Sequence, residues 1–360
     1  MKKITILILF SIYVKIYSVT ELTFHQDLIY TNNLFYNSSN INDMIWLNSF
    51  NLDYEKNNLL ISVNPNLFLL YNSPNYKNYK ILSYLNYILN DNQKIYSDIS
   101  AAYTINNFME NATYNVNEYY LSLSNIFYLK NNNKIELNFD YIKEIFKNLD
   151  FLNNTELNFS SSFYTKYKNN NFIFELILGK KIFPKYKIAT PGHKNNKYIN
   201  SDISINKLKL DFEYVKSINF TSSISIKYSK NIISNKYTIW PSLYNNLYSS
   251  QEWDDDFASN FDKITLKYNF IKLFYNSLKI EYYNKQYNQI KLFNKNQIRD
   301  TWQRKDKKFI ITYNLAKELI IFNKESFINL KTLFFKNTSN IDLFNYNNFE
   351  IKLSFSIKLL

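Results

Sequence analysis

The chain contains no cysteine. Disulfide staples, thiolate metal sites and a lipidated N-terminal cysteine are therefore excluded. Glycine occurs only at Gly179 and Gly192, and proline five times in 360 residues. Two glycines so placed cannot build a phosphate-cradling loop. A chain this poor in the usual turn formers must turn on Asn, Asp, Ser and Lys. Asn tolerates the left-handed backbone region better than most residues with a Cβ, so an Asn-rich chain can still reverse direction. Histidine is scarce too: His25 and His193 have no H-x-x-H or H-x-x-E-H companion, and both read as loop residues. Nothing near His193, Asn195 and Asn196 supplies a nucleophile of defined geometry, so the expectation is a non-enzyme with no metal or cofactor. Past the N-terminus, no stretch offers the roughly 18 uninterrupted apolar residues of a membrane-spanning helix.

Aromatic residues are abundant, with 33 Tyr and 30 Phe. A genome rich in A and T raises Tyr, Phe, Asn, Ile and Lys in any fold, so where these residues fall says more than how many there are. The formal charge is +13. The N-terminus opens with Lys2 and Lys3, runs apolar from Ile4 to Val14 and reaches the small Ser18, the pattern of a signal peptide over residues 1–18. Export argues against a nucleic-acid partner. The basic excess is better placed in a pore or against anionic lipid head groups. Residues 19–43 read as a periplasmic extension, a plug or a weak first strand, and residues 44–360 as one β-domain.

Alternation carries that last reading. Leu157, Phe159, Phe163 and Tyr167 share one face, against Glu156, Asn158, Ser160, Ser162 and Lys166. Leu208, Leu210, Phe212 and Tyr214 oppose Lys207, Lys209, Asp211 and Glu213. Ile224, Ile226 and Tyr228 oppose Ser223, Ser225 and Lys227, and Ile264, Leu266 and Tyr268 oppose Thr265 and Lys267. The cleanest segment is the last, where Phe349, Ile351, Leu353, Phe355, Ile357 and Leu359 oppose Glu350, Lys352, Ser354, Ser356 and Lys358. A period of two places each set on one side of a sheet. Close spacing makes consecutive strands antiparallel neighbours. Residues 183–201 and 231–262 read as long loops; the second holds Trp253, Asp254, Asp255 and Asp256, a solvated acidic run that a cation or an inward fold would also suit.

A soluble β-sandwich also alternates. Three details favour a membrane barrel: polar faces suited to a wet lumen, aromatics near strand ends, and strands of membrane-crossing length. The fold expected is all-β, an antiparallel transmembrane barrel of about 12–16 strands with 14 as the central value.

The segment from Ser339 to Tyr346 followed by Phe349–Leu360 resembles the closing hairpin of bacterial outer-membrane β-barrels, and Arg304-Lys305-Asp306 resembles the start of a penultimate strand pair in some of them. The resemblance implies an outer-membrane location, lipid around the barrel, and recognition of the last strand by the barrel-assembly machinery. Leu360 stands where those families end on an aromatic residue. Inward Lys166, Lys209, Lys227, Lys267, Lys352 and Lys358, sharing their faces with Asp211 and Glu213, suggest a basic lumen that favours anions. The function expected is a diffusion channel for small solutes. The alternatives are a non-conducting barrel that binds a partner through its long loops, and a secreted soluble β-protein.

Overall fold

The computed structural model describes residues 21–32, 43–70, 78–108, 115–148, 150, 153–189, 198–234, 257, 259–287, 290–291, 301–302, 304–340 and 345–359. The signal-peptide reading at 1–18, His193 and the run from Trp253 to Asp256 lie outside the described residues.

The strands are β1 (Glu21–Thr31), β2 (Asp43–Lys56), β3 (Leu59–Leu70), β4 (Asn78–Asp91), β5 (Ile95–Phe108), β6 (Val116–Tyr128), β7 (Lys134–Phe146) and β8 (Asn154–Tyr167). They continue as β9 (Asn170–Ala189), β10 (Tyr198–Asn219), β11 (Ser222–Ile233), β12 (Ser259–Ile271) and β13 (Tyr275–Tyr287). A two-residue pair, β14 (Ile290–Lys291) with β15 (Thr301–Trp302), stands apart in the next connection. Then come β16 (Lys305–Ile321), β17 (Lys324–Ser339) and β18 (Tyr346–Lys358). All except β14 and β15 form one closed barrel in which each strand pairs with its sequence neighbours, and β1 closes on β18. The ring has 16 strands, at the top of the expected range. Closure leaves no edge, so backbone groups find partners without water.

Burial settles which face is which. The side chains excluded from solvent are mainly polar or charged, such as Ser100, Ser122, Ser160, Ser225, Asp211 and Glu281. Large apolar side chains stand exposed, among them Leu28, Trp46, Leu121, Phe159, Leu210, Leu266 and Leu353. A protein in water is built the other way round. Aromatics of the outer face pair across strands, with Phe174 and Phe212 ring centroids 4.9 Å apart and the half-buried Phe24 5.1 Å from Phe50.

The short connections lie at the end of the ring where β1 starts and β18 ends, and the longer connections join strands at the other end. Asn57 (φ 52°) and Lys168 (φ 53°) turn the β2–β3 and β8–β9 hairpins in left-handed backbone.

Two segments that look irregular in the sequence contain strand. Glu21–Thr31 is a full strand, the third of the options for residues 19–43; Gln26 on its outward face and Ile29 on its inward face break the alternation. Residues 183–201 are mostly a hairpin extension, because β9 runs to Ala189 and β10 starts at Tyr198. Pro184 sits at a register shift opposite Ser201 and Ile203, where no ladder donor is required.

Candidate functional site

The lumen is the site, and cross-strand register fixes what lines it. On β18, Glu350, Lys352 and Ser354 face inward while Ile351 and Leu353 face out. On β10 the inward set is Lys207, Lys209, Asp211 and Glu213, and on β11 it includes Ser225 and Lys227. Lys267 faces inward on β12. Lys166 and Lys358 lie on the inward-facing register close to the short-turn end, where Lys166 is exposed and Lys358 is 39% exposed. The strands thus bring the sequence-derived candidates Lys209, Asp211, Glu213, Lys227, Lys267 and Lys352 onto one continuous wall.

Sequence reasoning missed the facing wall. Asp98 on β5, Glu118 on β6, and Glu136, Asp140 and Glu144 on β7 share the inward register. Hydrogen bonds hold them in place: Asn86 donates to Asp98 at 2.6 Å, the Tyr120 hydroxyl donates to Asp140 at 2.8 Å, and Asn154 donates to Glu144 at 2.7 Å. Glu136 pairs with Lys134 at 3.6 Å. Ring order places β5 opposite β13 and β7 opposite β17. Across from the acids therefore stand Lys279 and Lys285 on β13, Lys331 on β17 and Lys352 on β18. The interior divides into an acidic half, β1–β8, and a lysine-rich half, β9–β18.

Ion pairs stitch the two halves at their seams. At the β18–β1 seam, Lys352 reaches Asp27 at 2.6 Å and Lys358 reaches Glu21 at 2.9 Å. His25 also contacts Asp27, at 2.9 Å, so this imidazole belongs to the lumen wall and not to a loop. Lys181 lies 3.6 Å from Glu156 at the β8–β9 seam. Within the lysine-rich wall, Lys227 meets Asp211 at 2.7 Å, while Lys263 and Lys279 converge on Glu281 at 2.7 and 2.8 Å. Acids placed among lysines keep this wall foldable, since like charges alone would repel.

Towards the long-loop end the lysine-rich half changes character. Phe183, Ile203, Ile205, Ile233 and Phe257 pack into a buried apolar cluster. Phe257 precedes β12 and reaches in from the β11–β12 connection. The Lys207 ammonium sits 4.3 Å from its ring centroid and that of Lys181 5.7 Å. Gly179 makes the seat. A Cβ there would stand 2.5 Å from Asn158 Oδ1, 2.8 Å from Lys207 Cε and 2.9 Å from Phe257 Cζ. At the start of β16, Arg304 binds Asp306 through two nitrogens and stacks 4.2 Å over Tyr287. Among the described residues, no group of three or more His, Asp or Glu is arranged to hold a metal ion.

A closed ring, an apolar exterior and a charged interior define a transmembrane β-barrel of the bacterial outer-membrane type. The solved structures it is similar to include OccAB3 of Acinetobacter baumannii, with TM-score 0.54 and 8% identity over 94% of this chain and 99% of that one. OccAB1 of the same organism gives 0.53 and 8% over 94% and 96%, and OccK2 (OpdF) of Pseudomonas aeruginosa gives 0.51 and 6% over 94% and 98%. Identity this low carries the fold and no residue-level correspondence. No family model matches the sequence, and no curated protein sequence does.

Proposed function

We propose that this chain is an outer-membrane channel through which small solutes diffuse. One observation carries the reading: a 16-strand ring whose polar face points inward and whose apolar face points outward. A ring of that size encloses more space than wall side chains fill, which leaves an aqueous path. Solutes move past two walls of opposite sign, so the interior acts on each end of a solute separately and favours neither net charge strongly. The basic wall is β10–β18, built on Lys209, Lys227, Lys267 and Lys352. Lipid surrounds the exposed belt, and the barrel-assembly machinery reads β18, the strand that closes the ring.

Reconstitution into planar bilayers tests this. Stepwise conductance is the expected result, and a sealed bilayer with correctly folded barrel inserted defeats it. A second reading, a non-conducting barrel that works through its long loops, has one observation in its favour: the apolar cluster around Phe257 occupies part of the lumen. If that cluster closes the path, Phe257→Ala opens conductance that the parent chain lacks.

A further inference from the structure

The short turns are not alike. On β2–β3 the turn is Asn57-Asn58, on β4–β5 it is Asn92-Gln93-Lys94, and on β8–β9 it is Lys168-Asn169. β6–β7 adds Leu129 to an otherwise polar turn. The three turns of the lysine-rich half carry large apolar tips instead: Phe220 is 108% exposed, Leu273 75% and Phe322 91%. These turns adjoin one another. Ile271 N donates to Thr221 O at 2.8 Å across the first two, and the Lys317 ammonium lies 5.1 Å from the Phe274 ring across the last two.

Phe322 adds an independent sign. Its φ is 51°, the left-handed region in which the β2–β3 turn places Asn57. A bulky side chain is strained there, and this chain has Asn in plenty to relieve it. Strain of this kind persists where the side chain itself is wanted. Exposed lysines, Lys216, Lys272, Lys317 and Lys324, flank the tips on the outward register, while the exposed acids Glu318 and Glu325 lie on the inward one.

We propose that these three turns form a lipid-seated patch, with the rings and Leu273 entering the acyl boundary of the leaflet at the short-turn end. The flanking lysines then reach its phospholipid phosphates. The patch continues the exposed apolar belt, and its charge complements phosphate, so phospholipid of the spanned leaflet is the occupant. This rests on the membrane reading, but not on conduction.

The chain's lack of cysteine permits a direct test. Single variants Phe220→Cys, Leu273→Cys and Phe322→Cys, with Asn57→Cys and Asn92→Cys for contrast, carry a fluorescent label in phosphatidylethanolamine–phosphatidylglycerol bilayers. Lipid-tethered quencher is expected to extinguish the first three labels and iodide the last two. Iodide reaching all five alike overturns the patch, and leaves these tips to a protein in the aqueous phase. A chain that never enters bilayers defeats the membrane reading instead. To guard against a label disturbing its own turn, the Phe220→Asn, Phe322→Asn double variant carries the label at Leu273→Cys. Asn suits both turns, so heat-modifiable mobility persists while protection from iodide at 273 is lost; a folded double variant with full protection also overturns the proposal.

Discussion

The eight strands β1–β8 and the eight from β9 to β18, β14 and β15 apart, share one architecture and differ in almost everything chemical. The first half lines the lumen with acids held by Asn and Tyr, and two of its three short turns are wholly polar. The second half lines it with lysines interleaved with acids, packs Phe257 inside the barrel, and turns on Phe220, Leu273 and Phe322. Fold and electrostatics are therefore separable here. Period-two alternation and closure set the barrel, while inward positions accept either sign, because lumen water and cross-strand partners solvate both. The difference between halves is where function can reside without endangering the fold.

The comparison breaks most directly if the acidic wall is reversed. Glu136→Lys, Asp140→Lys and Glu144→Lys on β7 together leave a lumen of one dominant sign. Anions should then be preferred over cations by about tenfold relative to the parent, an interaction difference of order 1 kcal/mol. Reversal potential in a salt gradient reads this. An unchanged ratio would mean that the β7 acids do not face the permeation path.

Next in size is the seat of Phe257, which distinguishes the halves sterically. Gly179→Val places side-chain carbon where Asn158, Lys207 and Phe257 already stand. Overpacking of this kind costs about 1–3 kcal/mol, and three simultaneous contacts put this site at the upper end. Urea midpoints from heat-modifiable gel mobility measure the loss. Unseating Phe257 should also alter single-channel conductance, whereas a variant with parental stability and conductance would show that the cluster has no role in the path.

How legible this was depended on strand regularity. The segment Phe349–Leu359 declared both faces of β18 because every outward residue is apolar and every inward one polar. β1 did not, since its outward face includes Gln26 and its inward face includes Ile29. Lysines were found from sequence because they sit on the cleanest strands, β8, β10 to β12 and β18. The β7 acids were missed because Ile142 and Phe146 share their inward face and blur the alternation. That the two sets oppose each other could not be read at all. It follows from ring order, which no single strand encodes. Phe257 likewise gave no signal, being one aromatic in a chain with many.

The seam between halves gives the finest test, because it holds two similar ion pairs in different surroundings. Lys352 and Asp27 lie 2.6 Å apart with the carboxylate only 1% exposed, whereas Lys358 and Glu21 lie 2.9 Å apart with both side chains 39% exposed. Lys352→Met leaves a buried carboxylate with only His25 and the Ser354 hydroxyl as the partners that remain of the three, and the loss should be about 1–2 kcal/mol. Lys358→Met removes a pair that water and salt already screen, so its urea midpoint should match the parent's. Raising salt should narrow the gap between variant and parent little at Lys352, because screening ions do not reach a carboxylate packed in the wall. Equal losses at both positions would mean that water fills the seam evenly from mid-lumen to the short-turn rim.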